Sequence, residues 1–115
     1  MSKVLLAEDD PTMLSLLKTL LAIEGFEPVA ILEKHGDLIE NIRREQPQAI
    51  LLDVNLGNRD GIEIVRQIRA VPELQSVRVI MTSGLPRAEE CLAAGADDFL
   101  LKPYMPDDLI NRLRR

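Results

Sequence analysis

Five short segments of this chain are apolar throughout instead of alternating between apolar and polar residues. They are Val4–Ala7, Val29–Leu32, Ala49–Leu52, Val79–Met81 and Phe99–Leu101. Short apolar runs without alternation are typical of strands that are buried on both faces of a parallel sheet. Because both faces must then be covered, this feature predicts a fold with helices above and below one sheet.

The segments between these runs have helical spacing and residues that begin or end helices. Asp10 and Pro11 form an N-cap followed by a first helical position, and Gly25 ends this first helix. Further helices are predicted at 37–45, from 61 to just before Pro72, at 86–94 and at 106–115. The pattern is therefore (βα)5, in which the fourth helix is short.

This regular alternation predicts an α/β fold with a doubly wound, five-stranded parallel sheet in a single domain over residues 1–115. Pro28, at the start of the second strand, has no N–H for a sheet hydrogen bond, so this strand is predicted at an edge. This favours the strand order 2-1-3-4-5, with strand 2 outermost. In such sheets ligands bind beyond the carboxyl ends of strands 1 and 3.

Composition excludes several classes of protein. The net charge of −5 argues against nucleic-acid binding by this segment. One cysteine and one histidine exclude an internal disulfide and a Cys/His metal cage. The apolar runs are far shorter than the ~20 residues of a membrane span, and the chain opens without an export leader. We therefore expect a cytoplasmic protein that makes no membrane contact.

Acidic side chains gather at the predicted ligand edge of the sheet. Glu8 and Asp9 follow the first strand, and Asp53 follows the third. Helix capping explains Asp10, which precedes Pro11 directly, but it does not explain all of the other three. Since neighbouring carboxylates repel one another, a hard divalent cation such as Mg²⁺ is predicted among them.

The last two strands bring a hydroxyl group and an ammonium group to the same edge. Ser83 follows the fourth strand and Lys102 follows the fifth. A carboxylate nucleophile, with a metal ion, a hydroxyl and an ammonium that share the phosphoryl charge, is a workable phosphoryl site. The sequence therefore predicts phosphoryl chemistry on a carboxylate.

Over essentially its whole length the chain resembles the receiver domain of two-component response regulators. The matching pieces are Glu8-Asp9-Asp10, Asp53-Val54-Asn55-Leu56, Asp60-Gly61, Ser83-Gly84 and Lys102-Pro103. The resemblance implies a flavodoxin-like fold and a cis peptide bond between the last pair. It implies that Asp53 accepts a phosphoryl group from a sensor histidine kinase or a phosphotransfer protein.

The resemblance also implies a metal site. Mg²⁺ would be bound by Asp9, Asp53 and the main-chain carbonyl of Asn55, while Glu8 would hold metal-bound water.

A switch is implied as well. Ser83 would be the switch hydroxyl, and Lys102 would pair with the phosphoryl group and assist the chemistry at Asp53. Phe99, where tyrosine is commoner, would turn inward on activation. The face built from helix 4, strand 5 and helix 5 would then be read by a downstream protein or an output domain.

The chain departs from the family pattern in two places. Ser83 and Lys102 are nineteen positions apart, roughly three fewer than is usual, a loss of about one helical turn from helix 4. Because helix 4 belongs to the usual dimerisation face, a homodimer is a candidate assembly and no more. Gly57 stands where proline is frequent, which predicts a looser loop after Asp53.

Two other classes of protein fit part of the pattern. Phosphatases of the haloacid-dehalogenase class use a second aspartate two positions after the nucleophile, but here that position is Asn55, which cannot transfer a proton. A pseudo-receiver, with the fold but without phosphorylation, is the alternative. The complete site favours a phosphoaccepting receiver that is not an enzyme beyond its own phosphorylation and dephosphorylation.

Overall fold

The structure, a computed structural model, describes residues 2–31 and 37–115. Its main sheet is parallel and has the order β2-β1-β3-β6-β7. These strands are β1 (Ser2–Ala7), β2 (Phe26–Ala30), β3 (Ala49–Asp53), β6 (Arg78–Ser83) and β7 (Asp98–Leu101). A separate antiparallel pair consists of β4 (Asn55–Leu56) and β5 (Arg59–Asp60). The predicted order 2-1-3-4-5 is confirmed, since β6 and β7 are the predicted fourth and fifth strands.

The described residues form five α-helices and one 3₁₀ turn. The helices are α1 (Pro11–Ile23), α2 (Leu38–Glu45), α3 (Gly61–Ala70), α4 (Ala88–Ala94) and α5 (Pro106–Leu113), and the turn is Pro72–Leu74. The carboxylate of Asp10 accepts from the N–H groups of Thr12 at 2.9 Å and Met13 at 3.4 Å, so the predicted cap of α1 is confirmed. Within the described ranges, none of these helices is long and apolar enough to cross a membrane.

Two apolar layers hold the sheet from either side. Alternate strand residues such as Leu5, Leu52 and Met81 pack with α2, α3 and α4, whereas Leu6 and Ile80 pack with α1 and α5. Burying each such side chain contributes roughly 1.5–3 kcal/mol. The two layers therefore fix the strand ends on which the polar residues stand.

The second strand differs from its prediction. It begins at Phe26 instead of Val29, and Pro28 lies in its middle, opposite Val4. This proline is tolerated because β2 is an edge strand. The predicted last residue, Leu32, lies outside the described residues.

The short fourth helix is confirmed, with seven residues in α4. It begins at Ala88, two residues later than predicted, and its last residue, Ala94, is followed by the C-cap Gly95, which has a φ of 119°. The guanidinium of Arg69 donates to the carbonyl of Gly95 at 2.8 Å and pairs with Asp97 at 2.7 Å. The C-terminal end of α4 is therefore fastened to α3.

Candidate functional site

Three acidic side chains meet at the carboxyl edge of the sheet. Glu8 and Asp9 follow β1, Asp53 ends β3, and the two strands are neighbours, with Ala7 opposite Leu52. One carboxylate oxygen from each of the three acids lies within 4.8 Å of the others. The structure thus brings together the acids that the sequence predicts at this edge.

Lys102 supplies the positive charge of this cluster. Its Nζ lies 2.8 Å from Oδ2 of Asp53 and 3.1 Å from Oε1 of Glu8. The side chains of Asp53 and Glu8 are only 12% and 6% exposed, so little solvent screens these contacts. One ammonium group therefore pairs with two of the three carboxyl groups in a partly buried site.

Burial and charge shift the protonation of two of these groups. Burial raises the pKa of Glu8, and the negative charge of Asp53 adds to this effect, while Lys102 opposes it. Burial by itself would lower the pKa of Lys102, but hydrogen bonds and charge from Asp53 and Glu8 outweigh it, so this pKa lies above its usual value. The lysine is therefore charged at neutral pH, beside a glutamate that takes up a proton more readily than an exposed one.

The loop after β3 is fastened to the acids by main-chain N–H groups. The N–H of Asn55 donates to Oδ1 of Asp53 at 3.1 Å, and the N–H of Gly57 donates to Oδ2 of Asp9 at 2.9 Å. Gly57 has a φ of 59° in the turn between β4 and β5. Glycine provides here an N–H group that proline lacks, and this group ties the turn to Asp9. The looser loop stays a prediction.

Gly61 lets α3 approach the backbone of Asp53. Its N–H donates to the carbonyl of Val54 at 2.7 Å. A Cβ atom at this position would lie 2.3 Å from the carbonyl oxygen of Asp53. Residue chemistry did not predict this contact, although the pair Asp60-Gly61 at a helix start was a signal for it.

The predicted switch residues lie on β6 and β7. Ser83 is 1% exposed, and its Oγ accepts from the N–H of Leu85 at 3.1 Å. Its carbonyl oxygen accepts from the N–H of Lys102 at 2.8 Å. Phe99 is half-buried and borders a hollow of about 280 Å³ beside Arg87 and the start of α4. Ser83 thus stands at the carboxyl end of β6, whereas Phe99 borders the start of α4.

An apolar groove of about 330 Å³ is also bordered by Lys102, and the sequence did not predict it. Its lining comes from α1, the β7–α5 loop and the start of α5, and consists of Met13, Leu16, Leu17, Leu20, Lys102, Pro103, Tyr104 and Pro106. The Lys102–Pro103 peptide bond in this loop is cis, as the resemblance implies. Leu16, on the lining of this groove, is 62% exposed.

Comparisons with known proteins agree with this geometry. The sequence model of the response regulator receiver domain family matches residues 4–114 of this chain. The chain is 30% identical over 112 residues to the DNA-binding response regulator MtrA of Mycolicibacterium smegmatis. This alignment covers 97% of the present chain and 49% of MtrA. It therefore spans about half the length of that relative. It is 26% identical over 116 residues to the chemotaxis protein CheY of Bacillus subtilis, which covers 98% of this chain and 95% of CheY.

A solved structure shows the same fold. It is the receiver domain of the sensor histidine kinase PA1611 from Pseudomonas aeruginosa PAO1, with a magnesium ion coordinated in its active-site cleft. Its TM-score is 0.85 at 28% identity, with 99% of this chain and 95% of that chain covered. From its sheet order, its acidic edge and the matching family model, the chain belongs to the response regulator receiver domain family.

Proposed function

We propose that this chain is a phosphoaccepting receiver, in which Asp53 takes a phosphoryl group from a sensor histidine kinase or a phosphotransfer protein. The observation that carries the proposal is the ammonium of Lys102, which bridges Asp53 and Glu8 at 2.8 and 3.1 Å. A cation beside a nucleophilic carboxylate stabilises the negative charge that develops on a phosphoryl group. The receiver family itself is shown by the comparisons.

The donor set fits Mg²⁺. Three carboxylate oxygens within 4.8 Å of one another are hard ligands, and Asp9 is exposed, so bound water has access. Asp9 and Asp53 would hold the ion together with the Asn55 carbonyl, and Glu8 would bind its water. When bound, the ion neutralises charge on the phosphoryl oxygens.

The chemistry follows from the placement of Asp53. A carboxylate oxygen attacks the phosphorus atom, and the bond from phosphorus to the donor histidine breaks. The electron pair of that bond remains on the imidazole nitrogen, which takes up a proton. Lys102 stays charged throughout, because its raised pKa lies well above neutral pH. It therefore remains available to pair with a phosphoryl oxygen.

Ser83 and Phe99 are the proposed switch. Because Ser83 Oγ accepts from the N–H of Leu85, turning this hydroxyl towards a phosphoryl oxygen would release the loop before α4. The hollow beside Phe99 gives that ring room to move. The face formed by α4, β7 and α5 would then change for a downstream protein, an output domain or a second copy of this chain.

The wider context is also proposed. We place residues 1–115 in a single receiver domain that works in the cytoplasm. MtrA is a DNA-binding regulator of about twice this length. With a net charge of −5, the present segment is not expected to bind DNA, so such an activity would belong to another part of a longer protein.

Phosphate uptake by Asp53 is the direct test. Incubation with Mg²⁺ and acetyl phosphate is expected to add one phosphate, seen by intact mass and removed by hydroxylamine. Asp53→Asn is expected to add none, because the amide is not a nucleophile of this kind. If the small donor fails, a sensor kinase must be tried. Failure with both donors contradicts the proposal and favours a pseudo-receiver.

Mg²⁺ is expected to raise the melting temperature by several degrees, since it binds the folded acids and not the unfolded chain. The rise should shrink as the pH falls through the raised pKa of Glu8, because protons then compete with the ion. Differential scanning calorimetry with Mg²⁺ and with EDTA measures both effects. Asp9→Asn should reduce the rise, and the exposed Glu89→Gln should not. An unchanged melting temperature at saturating Mg²⁺ would refute the metal site.

A further inference from the structure

The side chain of Thr82 carries a buried hydroxyl group that the proposed mechanism does not use. It is 3% exposed, and within residues 2–31 and 37–115 its Oγ1 has no hydrogen-bond partner. Leaving a buried hydroxyl unpaired destabilises the folded protein. Ser83, the next residue, has by contrast a partner for its hydroxyl in the N–H of Leu85. An unpaired group of this kind calls for a physical explanation.

Strand geometry places Thr82 beside the proposed phosphoacceptor. It pairs with Asp53 of β3 on one side and with Leu100 of β7 on the other. Ile80 and Leu100 belong to the same apolar cluster and therefore lie on the same face of the sheet. Thr82 is two residues after Ile80, and Lys102 is two residues after Leu100. Both therefore continue this face. The side chain of Thr82 therefore lies on the face of the sheet that carries Lys102, on the strand next to Asp53.

Lys102 has donor capacity that this hydroxyl could use. An ammonium group has three N–H donors. Two of them are used by Asp53 and Glu8. In the part of the chain that the structure describes, the third has no hydrogen-bond acceptor. When a phosphoryl group forms on Asp53, the lysine must turn from the carboxylate oxygen towards the phosphoryl oxygens.

We propose that Thr82 is a positioning residue for Lys102. Its hydroxyl accepts a hydrogen bond from Nζ as the ammonium turns, and so holds the cation against the phosphoryl group. This inference rests on the proposed function of Asp53. It assigns a reason for an unpaired buried hydroxyl, which costs stability in the unphosphorylated protein and stabilises the charge distribution that forms during transfer.

Thr82→Val and Thr82→Ser separate the hydroxyl from the shape of the side chain. Valine keeps the shape, and we expect its melting temperature to equal or exceed that of the wild type while phosphate uptake slows about tenfold. Serine keeps the hydroxyl, so it should restore uptake to within about twofold of the wild-type rate. The readouts are calorimetry and the initial rate of phosphate addition from acetyl phosphate by intact mass. Thr19→Val, on the exposed side of α1, is the matched control.

Two results of the uptake experiment would overturn this role for Thr82. One is a wild-type uptake rate in Thr82→Val, and the other is equal slowing by valine and serine. If the wild type itself takes up no phosphate from either donor, the proposed function fails separately. In that case the role of Thr82 is tested in the Asp53→Ala background, in which Lys102 has lost one hydrogen-bond acceptor. Thr82→Val should lower the melting temperature of Asp53→Ala but not that of the wild type. Equal effects in both backgrounds would refute the inference.

Discussion

Replacing Lys102 with methionine is expected to slow phosphate uptake by roughly 100-fold or more, the usual cost of removing one charge-stabilising donor from a transition state. Methionine keeps most of the side-chain length and removes the ammonium that contacts Asp53 and Glu8. The readout is the rate of phosphate addition from acetyl phosphate at saturating Mg²⁺, followed by intact mass. The variant should also melt at a lower temperature in EDTA, because the acids then lose their cation.

The same variant tests whether Lys102 and Mg²⁺ share the same carboxylates. If they do, the rise in melting temperature on adding Mg²⁺ should be larger in Lys102→Met than in the wild type, because the ion then neutralises more uncompensated charge. Lys18→Met, an exposed lysine on α1, provides the control and should change neither quantity. Wild-type uptake by Lys102→Met would exclude the lysine from the chemistry.

Replacing Gly61 with alanine is expected to destabilise the protein by about 3 kcal/mol, at the upper end of what overpacking costs. The added Cβ would lie 2.3 Å from the Asp53 carbonyl oxygen and 2.9 Å from the Cα of Val54. Both atoms belong to the backbone, so no side-chain rotation relieves the clash. For a domain of this size the melting temperature should fall by roughly 10 °C, and phosphate uptake should fall with it, since Asp53 must move.

Gly84→Ala is the matched control for Gly61→Ala. A Cβ atom on Gly84 meets no heavy atom within 4 Å, and its φ is not in the left-handed region. We therefore expect a change of no more than about 0.5 kcal/mol in the free energy of unfolding. Equal stability of the two variants would show that α3 can withdraw from Asp53 without cost.

The convergence of the site residues could be predicted because parallel strands end at one edge. Glu8 directly follows β1, Asp53 ends β3, and Lys102 directly follows β7. Strand order then follows from the position of Pro28 and from the resemblance, so the cluster needs no knowledge of loop geometry. The ion pairs between Lys102 and the two acids join residues 94 and 49 positions apart, yet they follow from this simple rule.

Loop contacts were not predictable in the same way. The bond from Gly57 to Asp9 depends on one turn with a positive φ, and the apolar pattern carries no information about it. The two-residue strands that form this turn are too short to show a period. For this reason the sequence did not predict the bond from Gly57 to Asp9, although it identified this glycine as a departure from the family pattern.

By itself, the sequence determined the class of fold, the strand edge that carries the chemistry and the set of acids and the lysine that stand there. Apolar period and residue type are sufficient for these, because burial decides which segments are strands and parallel strands share an edge. Only the tertiary structure decided how close these groups come, that Gly61 admits α3 against Asp53, and that the hydroxyl of Thr82 has no partner among the residues that the structure describes. Such facts depend on small differences in the spacing between segments that are far apart in the chain. Close packing, not local sequence pattern, sets that spacing.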